Sequence, residues 1–105
     1  MRKLLLLLPL VAINAFPQRA LSTELGGEMG VAVGEHLVNA RRFARMGQQG
    51  LACDEAHSAN AVMNVWFNEI KKASERAGHD DDWIFGMRIK VQTIANACIK
   101  NGYLP

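Results

Sequence analysis

The sequence predicts a small all-α domain of three helices with one disulfide bond, preceded by a signal peptide. Two observations predict the helices: apolar residues recur at steps of three and four in three segments, and a glycine follows each segment. A third observation predicts the bond, because the chain has only two cysteines, Cys53 and Cys98. In an oxidising compartment, two cysteines allow a single intramolecular pairing.

Residues 1–22 have the features of a secretory signal peptide. Two basic residues precede an apolar run over residues 4–12, and small residues allow cleavage after Ala15 or Ser22. The run is shorter than the roughly 20 apolar residues of a membrane-spanning helix. The sequence therefore predicts a periplasmic or secreted protein with no stable membrane insertion after the signal is removed.

The charge balance changes when this segment is set aside. The whole chain has 12 Lys and Arg against 10 Asp and Glu, a formal net charge of +2. Arg2, Lys3 and Arg19 belong to the signal segment, which leaves nine cations against ten carboxylates and a net charge of −1. Nucleic-acid binding depends on an excess of cations that neutralise phosphates. We therefore expect no nucleic-acid partner.

The remaining chain divides into a lead-in and a helical domain. Residues 23–32 contain three glycines and predict a flexible lead-in, and residues 33–105 form the helical domain. A first helix is expected from about Val33 to Met46, because apolar residues recur there at helical spacing. Gly47 is suited to end it.

The second helix has the clearest periodicity, from about Cys53 to Ala77. Its apolar residues make one wide stripe at steps of three and four: Ala59, Val62, Met63, Trp66, Phe67, Ile70, Ala73 and Ala77. Lys71 and Glu75 form a charge pair at i,i+4 on the exposed side. Gly78 is expected to end the helix.

The third segment gives two conflicting signals. A helical stripe is formed by Ile84, Met87, Val91, Ile94, Ala95 and Cys98. Residues 87–94 also alternate between apolar and polar, which is a strand signal. We prefer the helix because the stripe continues to Cys98, and Asn101 and Gly102 then provide an end.

A disulfide between Cys53 and Cys98 would join the start of the second helix to the end of the third. Antiparallel neighbours joined by a short turn bring those two positions together. Closing a loop of about 46 residues stabilises a fold by about 4 kcal/mol in the chain-entropy model. Two free thiols are the alternative.

The residues that could carry chemistry have structural explanations. His79 and the three aspartates of residues 80–82 could attract a cation, but an aspartate capping the following helix is the preferred interpretation. His36, His57 and His79 have no metal-ligand spacing and are expected to be solvated. No nucleophile with a base and an orienting group is identifiable. The sequence predicts no enzyme, no metal site and no cofactor.

A candidate protein-binding face can still be named. Asn60, Asn64 and Asn68 follow His57 at helical spacing beside the apolar stripe, although such a row is also typical of a solvated side. Trp66, Phe67 and Trp83 are expected in the core. If one of them is exposed, it is the best candidate for an interface anchor. The candidate face therefore comprises His57, Asn60, Asn64, Asn68, Trp66 and Trp83.

Around its two cysteines the chain resembles the small periplasmic acid-stress chaperones of the Hde type. Cys53 is followed by acidic residues in Ala52-Cys53-Asp54-Glu55-Ala56, and Cys98 is followed by a polar segment in Cys98-Ile99-Lys100-Asn101. Ala56 stands where the family usually has an aromatic residue. The resemblance covers about residues 52–101. It implies a helical protein with one disulfide that loosens in acid and binds unfolding clients through its apolar stripes.

Together these observations predict a non-enzymatic exported domain that binds protein, with an acid-responsive, chaperone-like activity as its sharpest form. The alternative is a protein with one dedicated partner. It would be an accessory component of a conjugation or type IV secretion machinery in the envelope, or an immunity protein. The partner's identity and the oligomeric state are left open by the sequence.

Overall fold

The computed structural model describes residues 25–105, and these residues form four helices and no strand. The helices are α1 (Leu25–Arg45), α2 (Gln49–Val65), α3 (Phe67–Arg76) and α4 (Asp81–Lys100). The all-α prediction is confirmed, and so is the choice of helix for residues 84–94. The signal peptide predicted for residues 1–22 lies outside the described residues.

The predicted count of three helices is wrong, because the helix expected from Cys53 to Ala77 divides at Trp66. Trp66 leaves the helical conformation with φ −110° and ψ 21°. Its N–H still donates to the Val62 carbonyl, and its own carbonyl accepts from Ile70, both at 2.9 Å. The chain therefore bends at one residue without losing these hydrogen bonds.

Three consecutive large apolar residues, Val65, Trp66 and Phe67, lie at the bend. On a straight helix Val65, Trp66 and Phe67 would point in directions about 100° apart, and one face could not bury them all. In the structure Phe67 is buried, Trp66 packs against the core from the side, and Val65 is exposed. After the bend, α3 packs against α1 as well as against α4.

Helix α1 begins at Leu25, eight residues before the expected start at Val33. The flexible lead-in predicted for residues 23–32 is therefore wrong from Leu25 onwards. Gly26 is buried, and a Cβ atom at this position would overlap the carbonyl oxygen of Glu69 in α3. The glycine permits a close approach of the two backbones, and this packing stabilises a helix that its composition alone would not favour.

The core joins all four helices. Its larger cluster of buried side chains comprises Val33, Ala59, Met63, Phe67, Ile70, Ile84 and Val91. A smaller cluster contains Ala56 and the two cysteines, which form the predicted disulfide with Cα atoms 5.7 Å apart. The bond ties the first turns of α2 to the last turn of α4, as expected for neighbouring helices of this length.

Candidate functional site

An apolar cleft lies between α1, α3 and the start of α4, and α2 contributes Met63 to its lining. Its volume is about 280 Å³. One wall is the glycine-rich face of α1, and the opposite side is formed by Met63, Ile70, Ile84 and Met87. Ser74 and His79 are the polar side chains among its lining residues. The arrangement is a site for apolar contact with little polar recognition.

Trp83 is an exposed aromatic residue that lines this cleft. Its side chain is 45% exposed, whereas Phe67 is buried and Trp66 is half-buried. The indole ring stacks on His79, with ring centroids 4.1 Å apart and planes 10° apart. Of the three large aromatic residues expected in the core, Trp83 is therefore the exposed one.

The backbone of Trp83 is held by the cap of α4. Asp80 is the N-cap residue, and its Oδ1 accepts a hydrogen bond of 3.1 Å from the Trp83 N–H. Asp81 and Asp82 follow in the first turn, where carboxylates interact favourably with the positive end of the helix dipole. The capping explanation of the aspartate cluster is confirmed, and the cap positions the aromatic residue of the site.

Replacing the capping carboxylate should loosen this part of the site. We expect Asp80→Ala to lower the free energy of unfolding by about 1 kcal/mol, the usual value of an N-cap side chain. Asp82→Ala is the matched control, because it removes the same charge near the same helix end without removing the cap. Urea unfolding of the two variants should separate them, and equal losses would contradict a specific role of the cap.

The six residues of the predicted binding face do not come together in one surface. Asn64 and Asn68 are exposed, but the bend at Trp66 places them on different helices. Asn60 is only half-exposed, with its Oδ1 buried. Trp83 lies on α4 beside the cleft, which none of the asparagines lines.

The expectation that His57 is solvated is wrong. It is buried, and its Nε2 donates a 2.7 Å hydrogen bond to the carbonyl of Tyr103. The bond attaches the segment after α4 to α2. A sequence signal existed, since His57 lies one helical turn after Cys53 and shares its core-facing side.

A polar contact between α1 and α2 was not predicted. His36 Nδ1 lies 2.8 Å from Glu55 Oε1, and Asn39 donates to the same oxygen at 3.5 Å. Both side chains of the His36–Glu55 pair are partly exposed. They belong to separate helices, so periodicity within one helix could not have paired them.

Lys71 connects α3 to the start of α4. Its Nζ lies 2.8 Å from Glu75 Oε2 and 3.6 Å from Asp81 Oδ1. The hydrogen bond between Lys71 and Glu75 lowers the pKa of Glu75 and raises the pKa of Lys71. The pair predicted at i,i+4 is therefore present, and it extends to the next helix.

These pKa shifts define a pH window for the stability that the pair provides. Glu75 has a lower pKa in the folded state than in the unfolded state. Its contribution to stability is therefore present at neutral pH and is lost as the pH falls below about 4. The contribution of Lys71 is lost only in strong base.

We expect Glu75→Gln to lower the free energy of unfolding slightly at pH 7 and by less at about pH 3. Urea unfolding at both values checks this, and an equal loss at both would contradict the pairing.

Among residues 25–105, no helix is both long enough and apolar enough to cross a membrane. These residues also bring no three His, Cys, Asp or Glu side chains together into a group that could hold a metal ion.

No protein-family model, no curated protein and no solved structure matches this chain.

Proposed function

We propose that this chain is an exported, non-enzymatic protein-binding domain in which Trp83 is the main contact residue. The exposure of Trp83 beside the apolar cleft carries the proposal. Tryptophan is enriched among the residues that dominate binding energy at protein interfaces. A partner can cover the large apolar indole ring while the indole N–H forms a hydrogen bond at the edge of the interface.

The surroundings of Trp83 suit such a role. The Asp80 cap holds its backbone, and the His79 ring holds its indole face. A side chain that is already ordered loses less conformational entropy when it is bound. The adjoining cleft adds apolar surface that a partner can cover. We expect Trp83→Ala to weaken partner binding by about 2 kcal/mol or more, the range for an interface hot spot.

The contacts of the histidines support a non-enzymatic role. His57 is used to attach the segment after α4, and His36 pairs with Glu55 across two helices. Both cysteines are consumed by the disulfide. These potential bases and nucleophiles therefore serve the fold.

The chaperone-like form of the proposal is supported by apolar residues exposed on three helices. They are Leu25 and Val38 on α1, Leu51 and Val65 on α2, and Trp83, Phe85, Ile89 and Ile99 on α4. Dispersed apolar surface suits clients of varied sequence.

The alternative form is a single dedicated partner, such as a component of a conjugation or type IV secretion machinery or a toxin bound by an immunity protein. The pre-ordered position of Trp83 supports it, since specific interfaces concentrate binding energy in a few rigid residues. The two forms predict different behaviour in acid.

An acid-aggregation assay separates the two forms. The purified, oxidised protein is mixed with an acid-labile enzyme, the pH is lowered to about 2–3, and light scattering is followed together with near-ultraviolet circular dichroism. Suppressed scattering with loss of the tertiary signal is the result expected of an acid-responsive chaperone. Unchanged scattering with an intact tertiary signal would discard that form in favour of one dedicated partner.

A further inference from the structure

A groove of about 270 Å³ lies beside the disulfide bond, between α1 and α4. Both helices pack mainly against α2, and the start of α2 also lines the groove. Its apolar lining consists of Leu37, Ala40, Ala44, Ala52 and Ile94, together with the two cysteines of the disulfide. No residue is shared with the cleft beside Trp83, so this disulfide groove is a separate surface.

Two cations line the disulfide groove, one on each of the two outer helices. They are Arg41 on α1 and Lys90 on α4, and both are exposed. None of the lining residues is Asp or Glu. Within residues 25–105, neither cation has a carboxylate partner. Both sides of the groove therefore present positive charge to whatever lies between them.

The start of α2 adds to this positive charge. Its N-cap residue, Gln48, forms no side-chain cap, and its first turn contains no acidic residue. In contrast, the cap and first turn of α4 contain three aspartates, Asp80, Asp81 and Asp82. The partial positive charge at the N-terminus of α2 is thus not offset by a carboxylate of its own first turn. A carboxylate in the groove would interact favourably with this helix end as well as with the two cations.

The dimensions of the groove suit a short peptide segment. The lining residues of α1 extend from Leu37 to Ala44 and those of α4 from Lys90 to Cys98, which is about two helical turns on each side. Alanines form much of the lining between these ends, and their small side chains leave room for a larger apolar side chain. An occupant of this length would place an apolar residue in the groove and carboxylates at its edges.

The acidic cluster of this chain is a poor match for the groove. Asp80 Oδ1 already accepts a hydrogen bond from the Trp83 N–H, and Asp81 Oδ1 lies 3.6 Å from Lys71 Nζ. A second copy that inserted this cluster would exchange existing contacts for new ones. The charge of the groove therefore favours a different protein over a second copy.

We propose that the disulfide groove binds a short acidic segment of another protein, with an apolar side chain against Leu37 and Ile94 and carboxylates paired with Arg41 and Lys90. The inference goes beyond the contact role of Trp83. It assigns a second surface, which shares no residue with the first and recognises charge.

Photo-crosslinking from Ala44 tests the proposal. A photoreactive benzoyl-phenylalanine replaces this exposed alanine in one sample and the exposed Ala61 of α2, which does not line the groove, in the control. The cells that produce the protein are irradiated, and mass spectrometry identifies the crosslinked peptide. We expect an adduct at position 44 on a segment with carboxylates around an apolar residue, and none at position 61. No adduct, an adduct on a segment without carboxylates, or an adduct on a second copy of this chain would overturn the proposal.

Two charge variants test the recognition of the carboxylates. Arg41→Gln/Lys90→Gln removes both charges, whereas Arg41→Lys/Lys90→Arg keeps them. The crosslinked segment, made as a fluorescent peptide, should bind the first variant about fivefold more weakly than the unaltered protein, since exposed ion pairs are individually weak. It should bind the second variant with nearly unchanged affinity, as measured by fluorescence anisotropy.

Equal affinity for the glutamine variant and the unaltered protein would refute the charge recognition. Both substituted residues are exposed, so circular dichroism should show the same helical content in all samples. Trp83→Ala should leave the affinity for the peptide unchanged. Failure of the groove proposal is therefore distinguishable from failure of the role of Trp83.

Discussion

Removing the Cys53–Cys98 disulfide should lower the free energy of unfolding by about 4 kcal/mol. The bond closes a loop with a sequence separation of 45 residues, and a loop of that length loses much conformational freedom in the unfolded chain. The total stability of a small domain is typically 5–15 kcal/mol, so a loss of this size is a large share of it. We expect the Cys53→Ala/Cys98→Ala double variant to unfold at a much lower urea concentration.

Reduction provides the control for this prediction. A reducing agent should destabilise the unaltered protein to about the same extent as the double substitution, and it should have no effect on the double variant. Urea unfolding followed by far-ultraviolet circular dichroism measures all four samples. If the oxidised protein and the double variant unfold at the same urea concentration, the bond does not stabilise the fold.

Two glycine-to-alanine changes in α1 should have opposite effects. In Gly26→Ala the new methyl group overlaps the Glu69 carbonyl oxygen, so α1 and α3 must separate, and we expect a loss of about 3 kcal/mol. In Gly34→Ala the methyl group meets nothing within 4 Å, and alanine favours a helix over glycine by roughly 0.5–1 kcal/mol. That variant should therefore be more stable than the unaltered protein.

Thermal unfolding of the two alanine variants measures this difference directly. Both changes replace the same residue type in the same helix, so helix propensity alone predicts a similar gain for each. Stabilisation by Gly26→Ala would contradict the close packing of α1 against α3.

The helices and the disulfide could be predicted because each depends on residues close together in sequence or on a unique pairing. The stripe through Ile84, Val91 and Cys98 favoured helix over strand, and the structure buries all three. Gly47, Gly78 and Gly102 all adopt positive φ values at helix ends, as a terminating glycine does. The N-cap role of an aspartate before α4 was also visible in the sequence.

The start of α1 and the bend at Trp66 could not be predicted in this way, because both depend on contacts between helices. Glycine has a low helix propensity, and contacts with other helices, such as the packing of Gly26 against Glu69, stabilise this segment as a helix. The four-residue spacing of Gly26, Gly30 and Gly34 was a signal of a common helix face. The high glycine content of the segment instead favoured the prediction of a flexible lead-in.

The candidate site was predicted only in part. Trp83 was named as a possible anchor, but the helical pattern could not decide its exposure, since it lies next to the buried Ile84. The cleft is lined by residues of all four helices. It could be seen only when these helices were placed together.

The most direct test of the protein-binding role is photo-crosslinking from position 83. A photoreactive benzoyl-phenylalanine replaces Trp83 in one sample and the exposed Lys72 in the control, and the cells that produce the protein are irradiated. We expect a crosslinked protein at position 83 and none at position 72. One discrete adduct would indicate a dedicated partner, and many adducts would indicate chaperone-like clients. Absence of an adduct at position 83, or the same adducts at both positions, would contradict the account.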